Sequence, residues 1–274
     1  MAMLNTEGIC QYYELHGDPA QTPVMLITGL GGLGASWGPQ IKRFAERYYV
    51  ILPDHRGAGQ STHSAGGYRT EQLARDMISL VKHLNLAPVH VVGSSTGGAI
   101  AQHMALEQPD LVRSLTLSST FARFDEFTRR EFQMRRKMAE EWERSELLAA
   151  YSLFLFSPRF TREHPGFVQG WINRAAAHPE QAGDREVALK RIDMITAHDT
   201  LDRLFAIRQP TLVTCGDHNF CTPLALSEEI ARAIPGAELV VFSEGGELIE
   251  HEQEEKFFRI VSGFIDRHTP NALG

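Results

Sequence analysis

The segment VHVVGSSTGGAI, Val89 to Ile100, combines a strand, a turn and a helix in twelve residues. The apolar run predicts a strand, residues 93–97 fit the pattern G-x-S-x-G, and a helix of small residues follows at once. A side chain at Gly93 or Gly97 would collide with the neighbouring backbone in so sharp a turn. The segment therefore predicts that Ser95 is held in a strained backbone conformation at the carboxyl edge of a sheet, as a nucleophile elbow requires.

Short apolar runs and helical patterns alternate through most of the chain. The apolar runs predict strands that begin near Ile9, Val24, Tyr49, Val89, Ser114, Pro210 and Ala237. Helical patterns lie between several of them, such as TEQLARDMISLVKHL, which Thr70 could cap. Strands that alternate with helices predict an α/β fold whose sheet is mostly parallel and covered on both sides.

One long segment breaks this alternation. From about Phe121 to Ile207 the strand signal stops and helical periodicity replaces it, and we expect the charges of RREFQMRRKMAEEWER in this segment to form a solvated helix face. Residues 1–120 and 208–274 are expected to form the α/β core, and residues 121–207 a helical cap. Such an insertion can cover a site at the carboxyl ends of the strands.

The composition limits the possible partners. The chain has 274 residues, 43% of them hydrophobic and 22% charged, and a formal net charge of -7. This charge repels phosphate backbones, and no long cluster of Lys and Arg is present, so we expect no nucleic-acid partner. We expect a small-molecule substrate or ligand instead, bound by a monomer or homodimer.

Cysteine usage and the apolar segments bear on localisation. The three cysteines, Cys10, Cys215 and Cys221, cannot all be paired and show no metal-ligand spacing. No segment approaches the about 20 apolar residues of a membrane span, and the N-terminus lacks a signal-peptide pattern. We therefore expect a cytoplasmic protein that has no metal site and does not bind membranes.

A second glycine cluster, TGLGGLGASW, suggests a different function. Gly29, Gly31 and Gly34 follow a strand in the order G-x-G-x-x-G, and Asp54 follows twenty residues later, as in dinucleotide-binding folds. The next helix does not begin at the third glycine, however, and Asp54 opens a glycine-rich turn, DHRGAGQS. We therefore expect no dinucleotide and no other cofactor.

Together, these motifs resemble the α/β-hydrolase fold family, and within it the 3-oxoadipate enol-lactonases and related lactonases and esterases. The matching segments, between Gly8 and Phe264, are TGLGG, DHRGAGQS, GSSTGGAIAQ, AHDTLDRLFAIRQPTLV and EGGxLIExEQ. The resemblance implies an α/β-hydrolase core with the cap inserted between strands six and seven. It also implies a small, fairly apolar ester, lactone or carbonyl compound as the substrate.

The resemblance further implies an oxyanion hole, a pair of backbone N–H groups that stabilises a tetrahedral intermediate. The donors would be Leu30 in the first glycine cluster and Thr96 directly after the serine. Gly29 and Gly31 would let their loop pass close to the substrate. Thr28 stands where the family usually has histidine, a change that leaves the backbone donors intact.

The other two catalytic positions depart from the family pattern. In the family an aspartate follows strand seven in text like G-x-x-D-x-x-x-P, whereas GDHNFCTP places Asn219 at that position. The histidine base follows the last strand in text like G-G-H-x-x-x-x-E, whereas GGELIEHE places Glu247 there. Loss of such partners typically costs ~10⁴ to 10⁶ in turnover.

Nearby residues offer alternative partners for the serine. His251 lies one helical turn beyond Glu247, at a position that is apolar in the family. His218 could turn inward with Asp217 as the carboxylate that orients it. The carboxylate that some relatives carry after strand six has no counterpart, because Asp125 comes too late in the chain.

The substituted pair can also be taken at face value. Asn219 facing Glu247 is a donor facing an acceptor, so the hydrogen bond of the usual pair could persist with its direction reversed. Burial under an apolar cap could raise the pKa of Glu247 from about 4.3 toward about 6 to 7, where the carboxylate could act as a base.

Three functions remain open from the sequence. The first is a hydrolase of the ester or lactone class that uses Ser95, Asn219 and Glu247. The second is a lyase, isomerase or cyclase in which Glu247 removes a proton from carbon, and the third is a catalytically silent ligand-binding protein or inactivated variant. In each case aromatic residues of the cap either line the pocket or pack its helices together: Phe154, Phe156, Phe160, Phe167 and Trp171.

Overall fold

The computed structural model describes residues 2–6, 8–178 and 185–270. The strands are β1 Ala2–Thr6, β2 Ile9–His16, β3 Pro23–Ile27, β4 Tyr49–Pro53, β5 Val89–Ser94, β6 Val112–Ser118, β7 Thr211–Gly216 and β8 Glu238–Phe242. They form one sheet in the order β1-β2-β4-β3-β5-β6-β7-β8, antiparallel at the β1-β2 and β2-β4 pairs and parallel from β4 to β8. The predicted α/β fold with a mostly parallel sheet is confirmed, while β1 was not predicted.

Helices follow the strands in the alternation that the sequence predicted. They are α1 Pro39–Ala45, α2 Thr70–Leu84, α3 Thr96–Glu107, α4 Glu126–Glu141, α5 Arg144–Leu155, α6 Pro158–Glu163, α7 Pro165–Ala177, α8 Arg185–Thr196, α9 Leu224–Ala233, α10 Ile249–Glu252 and α11 Glu254–Arg267. Within the described ranges no helix is both long and apolar enough to span a membrane.

The sheet is buried on both faces because alternate side chains of each strand point to opposite sides. On β3, Met25 and Ile27 pack into the cluster that contains the apolar faces of α2 and α3. Val24 and Leu26 pack on the other side, in the cluster that contains Phe44 of α1 and apolar residues of α11. This two-sided burial is what a mainly parallel sheet needs.

The start of α2 corrects one prediction. Thr70 does not cap this helix: Arg69 is the N-cap residue, and its side chain makes no capping hydrogen bond. The Thr70 hydroxyl lies 2.9 Å from Nδ1 of the buried His198 instead. It therefore links α2 to the segment that returns from the helical insertion to β7.

Helices α4 to α8 lie between β6 and β7, where the sequence predicted an insertion. The two ends of the insertion meet in a short antiparallel bridge between Arg123 and Asp199. The Arg123 guanidinium also donates hydrogen bonds of 2.7 Å to the carboxylates of Asp199 and Asp202. This pairing fixes the two ends of the insertion beside the carboxyl end of β6.

Candidate active site

The turn between β5 and α3 has the strained geometry that its sequence predicts. Ser95 has φ 53° and ψ -118°, a conformation that costs a residue with a side chain about 1 to 3 kcal/mol. A Cβ on Gly93 would lie 2.3 Å from the carbonyl oxygen of Gly97, and a Cβ on Gly97 would lie 2.1 Å from that of Ile27. Only glycine fits at either position. The Ser95 amide donates to the carbonyl of Ser118 at 2.9 Å, which anchors the turn to β6.

The first glycine cluster passes directly beside Ser95. A Cβ on Gly29 would lie 3.3 Å from the Ser95 Cβ, so the loop approaches the serine as closely as a side chain would allow. Leu30 follows in this loop, and Thr96 begins α3 immediately after the serine. Because the first amides of a helix lack partners within the helix, the Thr96 N–H is available to a ligand. Of the two residues proposed for an oxyanion hole, Thr96 follows Ser95 directly, and Leu30 follows Gly29, which lies beside the serine.

The loop between β8 and α10 carries Glu247 and is bound to the insertion. The Glu247 amide donates to the carbonyl of Leu155, at the end of α5, at 3.1 Å. The carboxylate of Glu252 accepts from the amides of Ser157 at 2.7 Å and Gly246 at 3.1 Å. A Cβ on Gly246 would lie 2.6 Å from both the Ser157 nitrogen and Glu252 Oε1, so glycine is required at this position. These contacts fix the position of the Glu247 backbone.

Asn219 and Glu247 meet in the interior. Asn219 Nδ2 donates to Glu247 Oε2 at 2.8 Å, and the hydroxyl of Thr222 donates to the same oxygen at 2.6 Å. Asn219 Oδ1 accepts from the amides of Cys221 and Thr222, both at 3.0 Å, which fixes the orientation of the side-chain amide. Sequence reasoning missed Thr222, although a hydroxyl three residues after the acid position was a signal that could have identified it.

The two oxygens of the Glu247 carboxylate have different hydrogen-bonding partners. Its side chain is buried, and Oε1 makes no hydrogen bond of ordinary geometry with the described residues. The pKa of Glu247 is raised above its usual value, mainly because burial penalises the charged form. Hydrogen bonding by Thr222, Ser95 and Asn219 opposes this effect, and the charge of Glu250 reinforces it. The Ser95 hydroxyl is thus close enough to stabilise the ionised carboxylate, while Oε2 is held by the other two groups.

A second buried carboxyl group lies behind this pair. Glu250 Oε1 accepts from the Ser94 hydroxyl at 3.0 Å, and Oε2 has no partner among the described residues. Burial raises the pKa of Glu250 to about 7. This buried carboxyl group could not be recognised from the sequence, because Glu250 lies in a stretch of glutamates that resembles a polar turn.

The insertion contributes a buried ion pair that corrects another prediction. Glu131 and Arg135 belong to the charged segment expected to form a solvated helix face, yet both are buried. Arg135 Nη1 donates to Glu131 Oε1 at 3.2 Å and to the sulfur of Cys221 at 2.9 Å. The pKa of Glu131 is raised to about 7, mainly by burial and partly by the charge of Glu247. This pair therefore lies close to the Asn219 and Glu247 side chains.

The structure does not support the alternative partners of the serine. Asp217 and His218 are exposed, and the Asp217 carboxylate accepts from the backbone amide of Glu244 instead of orienting His218. His251 lies on α10, where its ring hydrogen-bonds the backbone of Ser36. Burial lowers its pKa. None of the three contacts Ser95 or Glu247 in the described hydrogen bonds.

The predicted pocket residues take different positions. Gly29 lies against Ser95, and the carbonyl of Gly31 accepts a hydrogen bond from Arg191 of α8 at 3.0 Å. Phe154 lies under the Arg135 guanidinium, with 5.9 Å between its ring centroid and Cζ. Trp171 packs edge-on against Phe156 at 5.7 Å, in the aromatic cluster of α6 and α7. Trp171 therefore serves packing of the insertion in this structure.

Within residues 2–6, 8–178 and 185–270, no group of three or more His, Cys, Asp or Glu side chains is arranged to hold a metal ion. A surface groove of about 360 Å³ lies between the loop 65–71 and α8, and its lining includes neither Ser95 nor Glu247. Ser95, Asn219 and Glu247 thus remain the best-supported candidate site.

Comparison with known proteins agrees with the fold. The profile of the alpha/beta hydrolase fold family matches residues 22–252. The chain is 34% identical over 253 residues to "Putative carbamate hydrolase RutD" of Azorhizobium caulinodans, covering 92% of this chain and 94% of that protein.

Solved structures show the same architecture. The crystal structure of a hydrolase from Pseudomonas aeruginosa PA01 aligns with a TM-score of 0.85 and 25% identity, covering 96% of this chain and 97% of that one. The enol-lactonase from Burkholderia xenovorans LB400 aligns with a TM-score of 0.87 over 97% of this chain and 100% of that one, and its 24% identity speaks for the fold alone. The chain therefore belongs to the α/β-hydrolase fold family.

Proposed function

We propose that this protein hydrolyses small carbonyl compounds, esters, lactones or carbamates, with Ser95 as the nucleophile and Glu247 as its base. One observation carries the proposal: Asn219 and Thr222 hold one oxygen of the buried Glu247 carboxylate, its other oxygen has no partner of ordinary hydrogen-bond geometry among the described residues, and the Ser95 side chain is one of the groups that lower its pKa. A carboxylate held in this way can accept a proton at one defined atom.

The reaction follows from the positions of these groups. Glu247 Oε1 takes the hydroxyl proton of Ser95 while the serine oxygen bonds to the substrate carbonyl carbon. The negative charge moves to the carbonyl oxygen, where the N–H groups of Leu30 and Thr96 stabilise it. Protonated Glu247 then gives its proton to the leaving oxygen or nitrogen, and the acyl group remains on Ser95. A water molecule then gives a proton to Glu247 and bonds to the acyl carbon; the bond to Ser95 breaks, the serine oxygen takes the proton back from Glu247, and the acid is released.

The electrostatics favour a carboxylate in this role more than its usual pKa suggests. An exposed glutamate, with a pKa of about 4.3, is a weak base toward serine. Burial raises the pKa of Glu247 and so makes the ionised carboxylate more basic. In the usual pair the aspartate orients the histidine by accepting a hydrogen bond from it. Here Asn219 orients Glu247 by donating a hydrogen bond to its carboxylate, and it does not neutralise the charge of this base.

The substrate class rests on the family and the insertion. RutD of Azorhizobium is named a carbamate hydrolase, and a carbamate has the same acyl centre as an ester or lactone. We propose that α4 to α8 act as a cap, because the end of α5 binds the loop that carries Glu247.

A second candidate reaction is favoured by the same free oxygen. A buried carboxylate with a raised pKa can also remove a proton from a carbon next to a carbonyl group, with the oxyanion hole stabilising the enolate. This lyase, isomerase or cyclase chemistry needs Glu247 but does not need the hydroxyl of Ser95. The substitution Ser95→Ala therefore distinguishes the two reactions.

The test measures turnover of p-nitrophenyl acetate, γ-butyrolactone and ethyl carbamate by the wild type and by Ser95→Ala. We expect hydrolysis of at least one substrate that falls by about 10⁴-fold or more in Ser95→Ala. Absence of serine-dependent turnover on the whole panel would overturn the proposal. Turnover that depends on Glu247 but survives Ser95→Ala would favour the proton-abstraction reaction.

A further inference from the structure

Besides Arg135, the insertion contains a second buried arginine, Arg191. Among the described residues, no acidic side chain is in direct contact with its guanidinium. Arg191, on α8, is 2% exposed. Its Nη1 donates to the carbonyl of Gly31 at 3.0 Å, whereas Nε and Nη2 are buried without a partner among the described residues. The guanidinium therefore lies against the glycine loop that runs beside Ser95.

The two unpartnered atoms share one edge of the guanidinium. Nη1 lies on the same side as Cδ, so Nε–H and Nη2–H point together in the opposite direction. This edge has the spacing of the two oxygens of a carboxylate. The protein uses it elsewhere: Nε and Nη2 of buried Arg56 donate to the two oxygens of Asp76, both at 2.7 Å.

Arg191 differs in this respect from the other buried arginines. Arg56 is paired with Asp76, and Arg135 with Glu131. Among the described residues no carboxylate oxygen lies within 4.0 Å of the Arg191 nitrogens. Burial accordingly lowers the pKa of Arg191 to about 10.

The surroundings are built to hold this side chain. Gly32 has φ 74°, and a Cβ there would lie 1.8 Å from Arg191 Nη2, so only glycine leaves room for the guanidinium. The nearest acid, Asp54, has both oxygens engaged by the amides of Gly34 and Gln60. His55 is buried beside it, and the charge of Arg191 helps to hold its pKa at about 3, so it stays neutral.

We propose that Arg191 binds a carboxylate group of the substrate through Nε and Nη2, next to the loop that carries Leu30. The substrate is then a small ester, lactone or carbamate that bears an anionic carboxylate in addition to its reacting carbonyl group. This inference rests on the proposed function, because it assumes that the bound carboxylate belongs to a molecule that the protein hydrolyses. The binding of a carboxylate at Arg191 does not depend on turnover.

The binding test uses propionate and its neutral isostere propionamide as probes. Isothermal titration of the catalytically inert Ser95→Ala protein is expected to show propionate binding and at least tenfold weaker binding of propionamide. In Ser95→Ala/Arg191→Gln, propionate binding is expected to weaken about tenfold or more, because the bidentate donors are lost. Arg136→Gln in the same background is the control, since Arg136 is a more exposed arginine of the insertion that is already paired with Asp193.

Arg191→Lys is a second variant, used in case Arg191→Gln does not fold. It keeps the positive charge and removes only the paired N–H donors of the guanidinium. It is expected to bind propionate more weakly than the arginine protein. Equal binding of propionate and propionamide, or equal propionate binding by the arginine and lysine proteins, would overturn the inference. Carboxylate binding without any serine-dependent hydrolysis would uphold the carboxylate site and overturn the proposed function alone.

Discussion

The substitution Glu247→Gln separates what the carboxylate does in catalysis from what it costs the fold. Glutamine keeps an oxygen that can accept from Asn219 Nδ2 and Thr222 Oγ1, so the contacts at 2.8 and 2.6 Å can persist. What is lost is the proton acceptor beside Ser95. We expect kcat/KM for hydrolysis to fall by ~10⁴, equivalent to about 5.4 kcal/mol of transition-state stabilisation.

The same variant is expected to be more stable than the wild type at alkaline pH. The folded-state pKa of Glu247 is raised by burial, so the folded protein retains this proton to higher pH than the unfolded chain. The stability that goes with the protonated group is complete below the unfolded-state pKa and is lost as the pH rises through the folded-state pKa. Glutamine removes this loss, so the difference in Tm between variant and wild type should be small near pH 4.5 and larger at pH 8.

The assay combines steady-state kinetics with thermal unfolding at both pH values. At this chain length each kcal/mol corresponds to about 2 to 4 °C in Tm, which such scans resolve. Glu255→Gln is the matched control, because Glu255 is exposed on α11 and its neutralisation should leave both readouts unchanged. The reasoning is refuted if Glu247→Gln keeps more than about a tenth of the wild-type kcat/KM, or if it gains no stability at pH 8 relative to acid.

Three further predictions test the surroundings of the site. Burial raises the folded-state pKa of Glu250 from 4.5 to about 7, so Glu250→Gln should be more stable in urea at pH 8 by up to about 3 kcal/mol and not below pH 4.5; a gain that does not vary with pH would contradict this. Gly97→Ala should lose about 3 kcal/mol or more in urea unfolding because its Cβ would meet a backbone carbonyl at 2.1 Å, whereas Gly263→Ala, where a Cβ meets nothing within 4 Å in a helix, should be neutral or stabilising. Asn219→Asp combined with Glu247→His should raise kcat/KM on p-nitrophenyl acetate by at least ~10²-fold; unchanged kinetics would mean that these positions are not those of the family's acid and base.

The parts of the fold that depend on local sequence patterns could be predicted. The alternation of strand and helix patterns predicted the parallel sheet, and the two glycines around Ser95 predicted its turn. Each of these patterns reflects a constraint that acts within a few residues. The meeting of Asn219 with Glu247 was predictable because two family motifs fix their places at the ends of neighbouring strands. The strand β1 was missed since its five residues, AMLNT, carry little apolar alternation.

The other features that could not be predicted from the sequence depend on tertiary packing. Glu131 and Arg135 have the i, i+4 spacing of an ordinary surface pair, and only the packing of α4 against the core makes them a buried one. Arg191 is likewise one of many charges on helical segments until α8 brings it to the glycine loop. Thr222 and Glu250 acquire their roles from partners 25 and 156 residues away in the chain.

The central claim is that Glu247 activates Ser95, and fluorophosphonate labelling of the serine tests it most directly. We expect mass spectrometry to find the adduct on Ser95 and the labelling rate to fall as acid protonates Glu247. We expect the rate to be at least ~10²-fold lower in Glu247→Gln at every pH above that transition. No labelling of Ser95, or the same rate in wild type and Glu247→Gln, would contradict the claim.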